Sequence, residues 1–375
     1  MIHLVVVFGT RPEGIKMMPI VKALRNRPDR FKVTMVVTGQ HREMMEQVFN
    51  TFRERPDIDL GLMVRNQTLP EITASVLTNM TSILNKAKPD AVLVHGDTTT
   101  AMATAIAAFY AQCRIGHVEA GLRSFDLQRP WPEEFNRVVI DSIATYLFAP
   151  TQLAQENLSK EYNGQGNVYV TGNTGIDSLL YVSRLLREDT EISCSLSHRY
   201  RFLDQSRRLI LVTGHRRESF GEGFQRICDG LAMVAARADT QVLYPVHLNP
   251  HVQRVVAQRL SATRNLLLID PVEYVDMVYL MERAALLLTD SGGIQEEGPA
   301  LGRPVLVMRD VTERPEAVNA GAVKLIGTDP ELMRREVNYL LDNPAAYERA
   351  ARPVFPYGDG TAAAKILEIL ESELA

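Results

Sequence analysis

The residues of this chain whose types and spacing could do chemistry fall into two groups. The first is acidic. Asp97, Glu119 and Glu133 each follow or lie just beyond a short apolar, β-capable run. Carboxylates gathered at one place push one another's pKa upward, so one can serve as a carboxylic acid while another is ionised. Which would be acid and which base stays open, and each has a structural alternative, such as offsetting a helix dipole at Glu133 or Glu134. The second group is an anion seat. Leu286 to Thr289 reads as a buried strand, Asp290-Ser291-Gly292-Gly293 as the turn that ends it, and a helix must start there. Two glycines let a ligand approach the backbone, and the Ser291 hydroxyl with the first helical N–H groups then faces an anion. Tight packing is the alternative reading of that Gly-Gly pair. Gln295, Glu296 and Glu297 follow on the first turn, where a carboxylate would repel a phosphate, so at least one is expected to reach hydroxyls instead. Pro304 to Met308 makes a further strand ending in Arg309, and the loop after it carries Arg314, whose guanidinium can fork onto a phosphate.

Cations occur at comparable places. Arg11 and Lys16 lie about a turn apart in Gly9-Thr10-Arg11-Pro12-Glu13-Gly14-Ile15-Lys16, with Pro12 suited to the first helical turn, and both could neutralise a diphosphate. His215, in Thr213-Gly214-His215-Arg216, can donate to a phosphate or move a proton near neutral pH. His247 and His251 have the i, i+4 spacing of a zinc pair, but Asn249-Pro250 interrupts the helix that would align them, so no metal site is expected.

These groups need elements to position them, and the chain supplies alternating strands and helices. Strands are expected at His3 to Phe8, Lys32 to Thr38, Ala91 to His95, Arg114 to Val118, Tyr146 to Ala149 and Asn167 to Val170, with helices such as Glu13 to Arg25, Glu43 to Phe52, Leu69 to Lys86 and Thr100 to Gln112 between them. A polar, Arg-rich stretch from Ser193 to Arg208 reads as solvated surface. The alternation then restarts with strands at Leu209 to Val212, Gln241 to Val246, Leu266 to Ile269, Ala285 to Thr289, Pro304 to Met308 and Val323 to Ile326, and the chain closes on a helix, Thr361 to Leu374. The expected class is α/β: two Rossmann-like, doubly wound parallel sheets facing each other across a cleft, with ligands bound where the strands end at their carboxyl edges.

A length of 375 residues fits two domains of ordinary size. The 46% apolar and 23% charged composition is that of a globular protein, and no uninterrupted apolar stretch of membrane-spanning length occurs, so no membrane partner is expected. The opening MIHLVVVFGTRP has no basic leader, and Cys113, Cys194 and Cys228 lie too far apart for metal spacing or a disulfide framework, which together read as a reducing cytoplasm. A formal net charge of -4 without a basic tail argues against nucleic acid.

The motifs FGTRPEGIK, TGQHREMM, HGDTTTAMA, GHVEAGLRS, RPWPEEFNR, TGNTGIDSL, TGHRRESFGEGF, PVHLNP, TDSGGIQEEGPALGRPVLVMRDVTERPEAV and PYGDG extend from the first strand to the final helix. Together they resemble the bacterial non-hydrolysing UDP-N-acetylglucosamine 2-epimerases. That resemblance implies a GT-B-like fold, with an N-terminal Rossmann-like domain over residues 1–172, a UDP-binding domain over 173–360, and a last helix, 361–375, crossing back onto the first. It implies an isomerase acting as a homodimer without metal or nicotinamide cofactor. The reaction would be reversible conversion of UDP-N-acetylglucosamine into UDP-N-acetylmannosamine, supplying N-acetylmannosamine units for bacterial cell-surface polysaccharide.

Carried over by position, the family's substrate contacts fall on Arg11, Lys16, Asp97, Glu119, His215, Ser291, Gly292, Gly293, Glu297 and Arg314. Its catalytic groups fall on Asp97, Glu119, Glu133 and His215. Two places depart from the family pattern. Where the enterobacterial branch lines its uracil pocket with Gln and Phe, this chain has Val272 and Met277, which leaves the base to main-chain contacts under an apolar cover. Gln40, His41 and Arg42 match a segment through which some members bind a second substrate molecule, but Glu43 and Asn66 replace its other partners, so the match is partial and substrate activation stays open. The chemistry suits the residues: carbon 2 of an acetamido sugar has no adjacent carbonyl to acidify its proton, so epimerisation would pass through loss of UDP to 2-acetamidoglucal. A glycosyltransferase of the same fold, a hydrolysing epimerase and a non-catalytic sugar-nucleotide sensor are the competing readings.

Overall fold

The computed structural model describes residues 1–39, 42–62, 67–161, 166–214 and 221–375, apart from the side chains of 42, 43 and 161. The chain divides into two units, residues 1–180 with 357–375, and residues 181–356.

The first unit holds a seven-stranded sheet made of β1 (Ile2–Phe8), β2 (Phe31–Val37), β3 (Ile58–Asp59), β4 (Ala91–His95), β5 (Arg114–Val118), β6 (Tyr146–Ala149) and β7 (Asn167–Val170). Their order is β3-β2-β1-β4-β5-β6-β7, and every pairing is parallel. Helices cover both faces of such a sheet, so its central strands are continuous apolar runs, and in β1 Leu4 to Phe8 are all buried. The strand order reverses between β1 and β4, where Val6 sits beside Leu93. Chain leaving the carboxyl ends of these two neighbours diverges to opposite sides, and the crevice this leaves is the usual ligand position in an open α/β sheet.

The second unit repeats the plan with six parallel strands: β8 (Arg208–Thr213), β9 (Thr240–Pro245), β10 (Leu266–Ile269), β11 (Ala284–Thr289), β12 (Val305–Val307) and β13 (Val323–Leu325), in the order β10-β9-β8-β11-β12-β13. Its reversal lies between β8 and β11, where Thr289 pairs with Thr213. Phe224, Val212, Leu286, Leu288 and Met308 belong to its buried core.

The final helix, Ala362–Leu374, packs on the Arg11–Arg25 helix within the first unit. Its entry is tightly drawn. Gly172 and Gly358 both have positive φ, and a Cβ on either would come within 3.1–3.3 Å of the other's Cα, so only glycine permits this chain crossing. Beside it the Asn173 N–H donates to the Tyr357 carbonyl at 2.6 Å, and the Asp177 carboxylate accepts the N–H groups of Ala362 and Ala363 at 3.3 and 2.9 Å.

Two elements lie outside the expected strands and helices. The edge strand β3 has only two residues, which carry no readable period. The stretch expected to be solvated surface is largely exposed, and it begins inside a helix, Thr190–Arg199, capped by Asp189. Only Leu196 of that helix is buried, so its apolar stripe is too thin to read, and its Arg199 is committed to the buried Asp276 at 2.6 Å.

Candidate active site

In the first unit the candidate residues grow from the ends of β1, β4 and β5. Thr10 caps the Arg11–Arg25 helix in a reciprocal box with Glu13: the Glu13 N–H reaches Thr10 Oγ1 at 3.4 Å, and Glu13 Oε2 accepts the Thr10 N–H at 2.8 Å. The same carboxylate accepts the Thr98 hydroxyl at 2.6 Å through Oε1, tying the turn after β1 to the turn after β4. Burial pushes the Glu13 carboxyl up, against hydrogen bonds from Thr98, Thr10 and the Gly9 amide that lower it. This brace sets where the helix begins. Arg11 and Lys16, five positions apart on this helix, are both half-buried.

Lys16 Nζ donates to Glu119 Oε2, and the side chains of the two are 18% and 10% exposed, so the pair is largely withdrawn from water. Asn173 Nδ2 donates to the same oxygen at 3.3 Å, and His95 Nε2 lies 3.8 Å from it. Burial pushes His95 down to about 4, with Glu119 opposing and Lys16 adding to the shift, so its imidazole is neutral at pH 7. Glu119 itself has φ +70, a conformation that a side-chain-bearing residue adopts at a cost of order 1 kcal/mol. The turn is held from behind by Glu119 and Ala120 N–H groups that both reach the Phe148 carbonyl at 3.1 Å.

Asp97 follows Gly96, whose Cβ position would lie 3.8 Å from Glu119 Oε1, so the two carboxylate-bearing turns adjoin. Arg137 Nη2 donates to Asp97 Oδ2, and Asn136 Nδ2 donates to the Asp97 carbonyl at 2.7 Å. Under this turn the fully buried His117 contacts the Gly96 carbonyl through Nε2 at 2.8 Å and Asp141 through Nδ1 at 2.6 Å. Glu133 and Glu134 separate in role. Glu134 is buried and accepts Arg123 Nε at 2.7 Å and the N–H groups of Ser124 and Phe125 at 3.0 and 3.1 Å. Burial raises its carboxyl, but the Ser124 amide and Arg123 outweigh that and hold it below the ordinary value. Glu133, the first residue of the Glu133–Ile143 helix, stays half-buried. Glu134 is therefore the glutamate committed to holding the preceding loop.

In the second unit the seat after β11 is braced through threonines. Thr213 Oγ1 and Thr289 Oγ1 are 2.6 Å apart, and Thr289 Oγ1 accepts the Ser291 N–H at 2.9 Å. Ser291 is the N-cap of the Gly292–Ala300 helix, yet its side chain caps no helical N–H. Gly293 is exposed, and a Cβ built on it meets nothing closer than Ser291 Oγ at 3.8 Å, so packing does not demand glycine there. Gly298 of the same helix is the opposite case, since its Cβ would lie 2.6 Å from Val305 Cγ2. The three polar residues after the glycines also divide. Gln295 is buried and accepts the Thr312 hydroxyl at 2.6 Å; Glu296 is buried and accepts Arg314 Nε; Glu297 is half-buried and accepts the Tyr274 hydroxyl at 2.9 Å. Thr312 Oγ1 in turn accepts the Arg314 N–H at 3.1 Å, so the Arg314 loop is fastened to this helix. Val272 precedes the Tyr274–Arg283 helix and Met277 lies in it, both half-buried.

His215 lies outside the described residues, as do Gln40, His41 and Asn66 and the side chains of Arg42 and Glu43. Sequence reasoning missed His95, Asn173, Arg137 and Tyr274. The first three lie inside stretches singled out above, but what they touch depends on which strands are neighbours. The expected zinc-type spacing is interrupted as described: Asn249 caps the Pro250–Leu260 helix, with His247 before it and His251 within it. Among the described residues there is no group of three or more His, Cys, Asp or Glu side chains placed to hold a metal ion, and no helix is long and apolar enough to cross a membrane.

The family model described as UDP-N-acetylglucosamine 2-epimerase matches residues 22–371. The chain is 51% identical over 367 residues to the UDP-N-acetylglucosamine 2-epimerase of Escherichia coli strain K12, spanning 98% of this chain and 97% of that one. It is 48% identical over 373 residues to the Campylobacter jejuni enzyme of the same name, with the same two coverages. Among solved structures it resembles the UDP-GlcNAc 2-epimerase from Neisseria meningitidis bound to UDP-GlcNAc, with a TM-score of 0.93, 43% identity, and coverage of 99% of this chain and 100% of that one. The α/β class with two parallel sheets, GT-B-like, is thus the one found.

Proposed function

This chain belongs to the UDP-N-acetylglucosamine 2-epimerase family, and from that premise we propose that it interconverts UDP-N-acetylglucosamine and UDP-N-acetylmannosamine by eliminating and re-adding UDP. The observation that carries the reading is the Glu119 carboxylate, largely buried, held by Lys16 and Asn173 and adjoining the turn of a second carboxylate, Asp97. Two carboxylates on adjoining turns, one of them against a lysine, supply the acid and base that epimerisation needs and mere binding does not.

In the proposed reaction a carboxylate removes the proton from carbon 2. The electrons of that C–H bond form the double bond between carbons 1 and 2, and the bond from carbon 1 to the diphosphate oxygen breaks, its electron pair leaving with UDP. The intermediate is 2-acetamidoglucal. Addition of a proton to carbon 2 from the opposite face, with UDP returning to carbon 1, gives the epimer. Asp97, Glu119 and Glu133 are assigned the proton transfers, with His215 as a further candidate. The departing diphosphate calls for preorganised positive groups, for which Arg314 and the helix N–H groups after Ser291 are suited in the second unit and Arg11 and Lys16 in the first. Val272 and Met277 are assigned the apolar cover over uracil.

The deciding experiment is turnover of UDP-N-acetylglucosamine in heavy water, with no acceptor added. Deuterium at carbon 2 of UDP-N-acetylmannosamine is the expected outcome, because the returning proton comes from a group that has exchanged with solvent. Epimer without deuterium would remove the elimination route, free N-acetylmannosamine would indicate a hydrolysing enzyme, and no turnover would favour a transferase or a sensor. A cytoplasmic homodimer that feeds cell-surface polysaccharide completes the proposal. Light scattering at twice the chain mass tests the dimer.

A further inference from the structure

The Glu297 carboxylate is gripped from another element: Tyr274 Oη donates to Glu297 Oε1 at 2.9 Å. Tyr274 is the first residue of the Tyr274–Arg283 helix, whereas Glu297 lies on the Gly292–Ala300 helix, one turn beyond the exposed Gly293. Residues four apart share a helix face, and four residues rise about 6 Å along the axis. In a nucleotide the ribose diol lies about that far from the 5′-phosphate it would leave at the helix N-terminus. The neighbouring polar residues of the same turn are committed elsewhere, Gln295 to Thr312 and Glu296 to Arg314. Glu297 is thus the carboxylate of this helix placed to meet hydroxyls.

A glutamate carboxylate rotates broadly about its last torsion, and holding it in one orientation costs rotamer freedom. A hydroxyl bound to one of its oxygens fixes the plane and hence the direction of the other oxygen. We propose that Tyr274 is a positioning residue that sets Glu297 to accept the ribose diol, and so makes the nucleotide site selective for ribonucleotides over 2′-deoxyribonucleotides. The inference rests on reading this helix as the UDP seat. The phenol is suited to a permanent donor's part, because burial and then the Glu297 charge hold its pKa well above the ordinary tyrosine value.

The test is calorimetric binding of UDP and of 2′-deoxyuridine 5′-diphosphate to the full chain and to Tyr274→Phe, which keeps the ring and removes only the hydroxyl. The wild-type protein is expected to prefer UDP by about 10-fold to about 100-fold, the usual range for a hydrogen bond to a charged group. Tyr274→Phe is expected to lose most of that preference by weakening UDP, with the deoxy compound, which offers Glu297 only its 3′ hydroxyl, weakened less. A variant that keeps the wild-type ratio would overturn the proposal, as would a wild-type protein that binds both compounds equally. In either case tight UDP binding would leave the reading of the seat standing. Failure of the wild-type protein to bind UDP at all would overturn both.

Discussion

Lys16 and Glu119 stand 103 positions apart in the chain, and the ammonium of the first donates to a carboxylate oxygen of the second in a largely buried setting. The contact exists because β1 and β5 both flank β4, so the helix after one strand and the turn after the other open on the same edge. A pair of this kind makes its members interdependent, since removing one partner leaves a poorly solvated charge behind.

Glu119→Gln, Asp97→Asn and Glu133→Gln are each expected to lower turnover by about 100-fold to about 10,000-fold, the range for acid–base groups, with 2-acetamidoglucal and UDP leaking from the impaired enzymes. For Lys16→Met combined with Glu119→Gln, the loss should be smaller than the product of the single losses. A double-mutant cycle in kcat/KM measures this, and a coupling near zero would show that the ion pair has no part in catalysis.

Arg314 is fastened to Glu296 through Nε. Arg314→Ala should weaken UDP by about 10-fold or more as well as slowing turnover, because a charge-assisted contact to a diphosphate is present in ground and transition states alike. Calorimetry with UDP checks this, and an unchanged affinity would place the guanidinium away from the phosphates.

Two glycines of one helix should respond in opposite ways. Gly293→Ala has room for its Cβ and gains helix propensity of about 1 kcal/mol, so it should melt no lower than the wild type yet bind UDP more weakly, as the methyl obstructs approach to the seat. Gly298→Ala drives its Cβ into Val305 and Leu287, so it should lower the melting temperature. Thermal melts and UDP titrations of both variants separate ligand approach from packing.

Asp177 supplies a pH signature of folding. Burial raises its carboxyl from 3.8 to about 6, against the amides of Ala363 and Ala362. The folded state therefore holds this proton more tightly than the unfolded chain. The stability tied to it is present in full below about pH 4 and is lost as pH rises through about 6, a difference of about 3 kcal/mol at 1.36 kcal/mol per pKa unit. Asp177→Asn does not titrate, so its stability relative to the wild type should improve by about that amount between pH 4 and pH 7 in urea melts. A constant difference across that range would show that the carboxylate is ionised throughout in the folded protein.

The parallel α/β architecture was legible in the chain, because strands covered on both faces must be nearly continuous apolar runs, and Ala91–His95 and Ala284–Thr289 are such runs. So was the placement of Asp97, Glu119 and Ser291 just after strands, since a polar residue following a buried run falls on the sheet's edge. The helix Thr190–Arg199 and the strand Ile58–Asp59 were not legible, the first for want of an apolar stripe and the second for want of length. What the tertiary structure alone decided is the division of labour among adjacent residues. Glu133 and Glu134, or Gln295, Glu296 and Glu297, are near-equivalents by composition and by position on a helix. Glu134 became structural because Arg123 and two amides of the preceding loop close on it, and Glu297 differs from Glu296 because Tyr274 meets one and Arg314 the other. Local sequence dictates strands, helices and their ends through side-chain periodicity and backbone sterics. Partners that lie far apart in the chain depend on strand order, a property of the whole sheet that no local pattern encodes.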